Sequence, residues 1–137
     1  MVDLDKLEGD LRFDLLRNAI YHSARARFLD FCTRVFNFAV ILLGTSAAAD
    51  LGKIGNIGQG LLAAGAAIAG IVQLVGDFGV SARTHSYLQR RCYELLAELE
   101  SAAPTEESLR AIRAKLTLVY GEEPPPMRAL DAIAYNA

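Results

Sequence analysis

Charge is nearly missing from the middle of this chain. Of the 48 residues 35–82, only Asp50, Lys53 and Asp77 are charged. Helix breakers are missing further upstream, with neither proline nor glycine anywhere in residues 10–43. Histidine and cysteine are scarce, at two each. Each shortage excludes something. Cys32 and Cys92 have no CxxC spacing, so they read as reduced packing residues. His22 and His85 sit in no HxxxH or HExxH pattern, and zinc needs three or four converging ligands, so no metal and no cofactor is expected. No Ser, Asp or His lies in a nucleophile-elbow or zincin context, so the chain is not expected to be an enzyme. A net charge of −2 gives no basic field for nucleic acid. Residues 1–14 hold five carboxylates, and no secretory h-region follows them.

What fills the middle is two apolar runs. The first, VFNFAVILLGTSAAA, has 15 uncharged residues between Arg34 and Asp50. The second, IGNIGQGLLAAGAAIAGIVQLVG, has 23 between Lys53 and Asp77. At about 1.5 Å per helical residue the second measures about 34 Å, enough for a hydrocarbon core of about 30 Å. The first measures about 22 Å and spans only with help at its ends, from Arg34 snorkelling and from Phe31 and Cys32. Backbone in hydrocarbon must bond internally, so both runs are expected to be helices, with spans at about 35–50 and 54–80. The competing reading is a soluble helical interaction module. It is disfavoured because 137 residues, 53% of them hydrophobic, cannot wrap two such helices in polar structure.

Either side of the runs the chain is polar and patterned. Residues 1–34 carry six basic and six acidic groups, and residues 83–137 carry seven and eight. Leu4, Leu7, Leu11, Leu15 and Ala19 recur at helical spacing, predicting a helix over about 4–34 that runs unbroken into the first span. After the second span, Leu88, Cys92, Leu95 and Leu99 form the apolar stripe of a helix at about 81–103, which stops before Pro104. Thr105 is a cap for a helix at about 105–120, with Glu106 and Glu107 in its first turn, Gly121 at its end, and Leu109, Ile112, Leu116 and Val119 on one face. Pro124, Pro125 and Pro126 make a stiff connection to a short last helix at about 127–134. The expected fold is thus all-α: one domain over 1–137, built on a two-helix transmembrane hairpin with long cytosolic extensions and one or two short C-terminal helices.

Three groups of residues are candidates for function. Asn37, Gln73 and Asp77, with Arg34, are the polar groups at membrane depth, and a hairpin folded near residues 53–56 puts Asn37 level with 69–73 and Arg34 near 72–77. Such groups face protein or water. They either line a pore or satisfy one another, Arg34 with Asp77 and Asn37 with Gln73. Ala63, Gly65, Ala66, Ala67, Ala69 and Gly70 form small-xxx-small pairs that let helix backbones approach, within one chain or between protomers. Asn18, His22 and Arg25 share a helix face beside Tyr21, and His85 can come near His22 as a pH-sensitive pair. The four glycines of residues 50–60 read as turn and helix-entry residues, since no phosphate-loop pattern is present. Arg17, Arg25, Arg27 and Arg34 precede the runs and Arg83, Arg90 and Arg91 follow them, against Lys53 alone in the turn. That asymmetry predicts both termini in the cytoplasm.

The layout resembles the SLATT family of two-transmembrane effector domains from bacterial conflict systems. The likeness rests on NAIYHSARARF, the two membrane runs, the RRCYELLAELE continuation and the tail LTLVYGEEPPPMRALDAIAYNA. It implies an oligomeric, pore-forming effector of the bacterial cell membrane, acting in defence against phage. It also implies a separate nucleotide-sensing or regulatory protein as partner, beside the lipid bilayer and further copies of the chain. A non-conducting membrane scaffold is the alternative.

Overall fold

The computed structural model describes residues 4–49, 58–101 and 103–123. Among these the fold is all-helical. The order is α1 (Leu4–Ala48), α2 (Gln59–Gly76), α3 (Phe78–Ser101) and α4 (Glu106–Gly121). α1 is a single helix of 45 residues, as the lack of Pro and Gly over 10–43 predicts. The chain comprises two compact units, Met1–Ala26 with Arg83–Ala137, and Arg27–Ala82.

The first unit has a leucine core. α1 supplies Leu11, Leu15 and Ala19; α3 supplies Leu88, Cys92, Leu95 and Leu99; α4 supplies Leu109, Ile112, Leu116 and Val119. Each set recurs every three or four residues, so each helix turns one stripe inward. Leu15, Leu88 and Cys92 are fully buried. α4 starts sharply because Thr105 and Ser108 cap each other: the Ser108 amide donates to Thr105 Oγ1 at 3.2 Å, and the Thr105 amide donates to Ser108 Oγ at 3.1 Å. Outside the core, Arg12 pairs with Glu100 at 2.7 Å and Lys115 with Glu98 at 2.6 Å. Both pairs are exposed, and such pairs contribute about 1 kcal/mol or less.

The second unit is built the other way round. α2 has no buried residue at all. Its half-buried stripe is Leu62, Gly65, Ala66, Ala69, Gly70 and Gln73, again at helical spacing. Small residues there bring α2 close to α1. A Cβ at Gly65 would lie 3.3 Å from Leu43 Cδ1, and one at Gly70 would lie 4.0 Å from Val40 Cγ2.

The second apolar helix does not continue to residue 80 as the sequence reading expects. It ends at Gly76, and Asp77 takes the left-handed conformation with φ 41° and ψ 41°. The cause is local. A Cβ at residue 76 would fall 2.6 Å from the Phe78 ring, so only glycine fits. Phe78 in turn lies flat on Phe36, with ring centroids 5.5 Å apart and planes 5° apart. Aspartate tolerates the left-handed region better than most residues, and its carbonyl accepts from the Ser81 amide at 3.1 Å to start α3. α3 therefore begins at Phe78 rather than 81, and ends at Ser101 rather than 103. Most of the 50–60 turn and the expected helix at 127–134 lie outside the described residues. Gly58 precedes α2 as its cap, and Gly60 is inside the helix.

Candidate functional site

One set of candidate residues meets inside the first unit. His22 and His85 are both fully buried, and their Nδ1 atoms are 3.0 Å apart. Their rings stack, with centroids 5.2 Å apart and planes at 29°. Tyr21 presents an edge to each, at 5.2 Å and 6.3 Å. Arg25 Nη1 donates to Tyr21 Oη at 2.7 Å, which keeps the guanidinium beside the pair.

An Nδ1···Nδ1 bond constrains the tautomers. One ring must donate from Nδ1 and the other must accept, so the two neutral imidazoles carry their protons on different nitrogens. Both Nε2 atoms are buried with no hydrogen-bond partner among the described residues. One is then a buried N–H and the other a buried lone pair, each at a desolvation cost of about 1–3 kcal/mol. Both histidines are pushed down from the ordinary 6.5 to about 4. Burial is the main cause; His85 and then Arg25 add to it at His22, and Arg25 adds to it at His85. The pair is therefore neutral at physiological pH and charges only under acid.

Asn18 shares the helix face but not this site. Its Nδ2 donates to the Asp14 carbonyl at 2.6 Å and to Tyr120 Oη on α4 at 2.9 Å. Burial pushes the Tyr120 hydroxyl up, and the Asn18 bond works against that. Cys92 sits in the leucine core, and burial followed by the Glu123 carboxylate pushes its thiol up to about 11. Such a thiol stays protonated at neutral pH. Among the described residues no group of three or more His, Cys, Asp or Glu converges.

The other set lies in the second unit. Gln73 Nε2 donates to Asn37 Oδ1 at 2.7 Å, joining α2 to α1 on an exposed face. Gly70, Gln73, Leu74 and Asp77 line a depression of about 280 Å³ beside that bond. Arg34 and Asp77 make no ion pair with each other among the described residues. Arg34 instead lines a separate depression with Arg27, Asp30 and Phe31. The small residues divide between two faces. Gly65, Ala66, Ala69 and Gly70 are half-buried on the stripe that meets α1, while Ala63 and Ala67 are exposed.

Sequence reasoning misses two partners that have no short-range signature, Tyr120 for Asn18 and Phe36 for Phe78, since each depends on helix register. The Tyr21–Arg25 bond has one, the i,i+4 spacing within α1. The break at Asp77 has one, the Gly76–Asp77 dipeptide, because glycine and aspartate both favour turns. The hydropathy of the surrounding run hides it. α1, and α2 taken together with α3 across the Asp77 turn, are long and apolar enough to cross a membrane. No family model, curated protein or solved structure matches the chain.

Proposed function

We propose that this chain is a membrane-embedded helical hairpin that assembles into an oligomeric pore or ion channel, as an effector of bacterial anti-phage or conflict defence. The observation that carries the membrane reading is where the apolar side chains lie. Phe31, Phe38, Ile41, Leu61, Ile68, Ile71, Leu74 and Val75 are each at least 60% exposed. A core helix of a soluble protein would bury them, and their apolar windows are only 6% buried. Water penalises so large an apolar surface, whereas hydrocarbon accepts it. The arginine asymmetry then favours a cell-membrane hairpin with both termini in the cytoplasm.

The pore reading rests on the polar strip. Asn37, Gln73 and Asp77 interrupt an otherwise apolar exterior, and at membrane depth such groups face protein or water. Two helices enclose no water path, so rings of these residues must come from several protomers. Asp77 gives a ring of negative charge near the cytoplasmic mouth, which favours cations. The exposed Ala63 and Ala67 offer a small-residue contact between protomers. The SLATT resemblance supports the effector role and a separate nucleotide-sensing or regulatory partner. The alternative, a non-conducting scaffold, is favoured by the Asn37–Gln73 bond itself: two amides that satisfy each other need no water.

Flux and oligomer mass measured on one liposome preparation separate the two readings. A conducting assembly whose cation preference falls with Asp77→Asn, at unchanged mass, supports the pore. An oligomer of the same mass without flux supports the scaffold. If Asp77→Asn instead reduces the mass, Asp77 is an assembly contact and the ring is wrong.

A further inference from the structure

A second feature of the Arg27–Ala82 unit concerns the lipid it meets. α1 presents Arg27, Asp30, Phe31 and Arg34 around a depression of about 230 Å³. Their spacing of three, four and seven puts all four on one helix face, immediately before the charge-free run that begins at Val35. Arg27, Asp30 and Arg34 are exposed, and Phe31 is 63% exposed.

Asp30 is placed to neutralise either arginine, at i+3 from Arg27 and i−4 from Arg34. It does neither: among the described residues, Arg27 and Arg34 make no ion pair with Asp30 or with any other carboxylate. The helices of the other unit behave differently, where Arg90 and Arg91 both reach Glu94 and Arg110 pairs with Glu106. The depression thus has two free guanidinium groups against one carboxylate, and an aromatic ring that faces outward.

We propose that this depression binds the phosphodiester headgroup of an anionic membrane lipid. This rests on the membrane reading above. A guanidinium fork matches phosphate oxygens in bidentate geometry. The two arginines are about 10 Å apart along the helix, two turns, so their side chains approach one headgroup from both sides. The acyl chains run on past Arg34 along the charge-free run that begins at Val35, an apolar contact that a free anion would not use. Asp30 repels a second anion and limits the site to a net charge of +1, suited to a phosphodiester rather than to a more highly charged phosphate. Basic depressions at the cytoplasmic ends of membrane helices are where anionic headgroups are held.

The test uses the full chain, floated with vesicles of phosphatidylcholine alone and with one-fifth phosphatidylglycerol, followed by native mass measurement of retained lipid. Wild type is expected to retain phosphatidylglycerol over phosphatidylcholine at least tenfold beyond its share in the vesicle. Arg27→Gln with Arg34→Gln should abolish that preference and still float, while Arg90→Gln with Arg91→Gln should leave it unchanged. Equal retention by wild type and the Arg27/Arg34 variant overturns the site. Displacement of the lipid by millimolar inorganic phosphate overturns the lipid assignment and leaves a simple anion site. If wild type floats with phosphatidylcholine but shows no preference, the headgroup inference alone fails. If it floats with neither vesicle, the membrane reading fails and takes this inference with it.

Discussion

The two units use the same kind of side chain in opposite ways. In Met1–Ala26 with Arg83–Ala137, Leu15, Leu88, Leu109 and Ile112 are at most 2% exposed. In Arg27–Ala82, Leu61, Leu74 and Val75 are at least 70% exposed. Both patterns are periodic, so periodicity alone does not distinguish them. The distinction lies in the opposite face of each helix. Around the leucine core that face carries Arg12, Glu100, Arg90 and Lys115; on α2 it carries only apolar residues. An amphipathic helix has one solvent, and a helix apolar all round needs another.

The comparison breaks most visibly under truncation. Leu15→Ala removes a fully buried side chain and should cost about 2–5 kcal/mol of stability. Leu74→Ala removes one that is 81% exposed and should change stability by about 0.5 kcal/mol or less. Chemical unfolding of the protein in detergent micelles, followed by circular dichroism, measures both. Similar losses for the two variants would mean that α2 has a packed partner on that side.

Small-to-large changes sharpen the same contrast inside α2. Gly65→Leu adds side-chain atoms where a Cβ alone already lies 3.3 Å from Leu43, and should destabilise the hairpin by about 1–3 kcal/mol. Ala67→Leu adds bulk on an exposed face and should leave the hairpin intact. If protomers meet on that face, it lowers the oligomer mass. Mass measurement with thermal melting of both variants separates the faces, and an oligomer unchanged by Ala67→Leu removes that face as a contact.

Acid should act on the leucine-core unit. His22 and His85 titrate near 6.5 when unfolded and near 4 when folded. Between those values the unfolded chain binds more protons. The pair's contribution is therefore fully present above pH 6.5 and is lost as pH falls through about 4. Arg25 is the cation that opposes protonation of both rings. His22→Gln with His85→Gln should flatten the pH dependence of thermal stability between pH 6.5 and 4, while the carboxylates of both proteins titrate alike. An unchanged slope would mean that the histidines are solvated.

Much of this was readable from residue order, and what was not has a physical reason. The stripes Leu88–Cys92–Leu95–Leu99 and Leu109–Ile112–Leu116–Val119 are legible because burial imposes its own period. The level of Asn37 with Gln73 is legible because a short turn bounds the hairpin's register. The Nδ1 contact of His22 with His85 needs register to a fraction of a turn, which packing of the leucine core supplies and composition does not. The break at Asp77 depends on the Phe78 ring lying over Gly76, a contact no hydropathy window registers. The division of the small residues into an intrachain face and an exposed face depends equally on helix rotation.

The central claim is that the exposed apolar side chains of the Arg27–Ala82 unit lie in lipid. The chain has no tryptophan, so a single introduced one reports its surroundings without background from another. Ile68→Trp replaces a residue 62% exposed near the middle of α2, and Tyr93→Trp one 45% exposed on the leucine-core unit. In vesicles whose acyl chains carry bromine near the bilayer centre, the account predicts blue-shifted, strongly quenched emission from Ile68→Trp and unquenched, water-like emission from Tyr93→Trp. Unquenched, water-like emission from Ile68→Trp would contradict it.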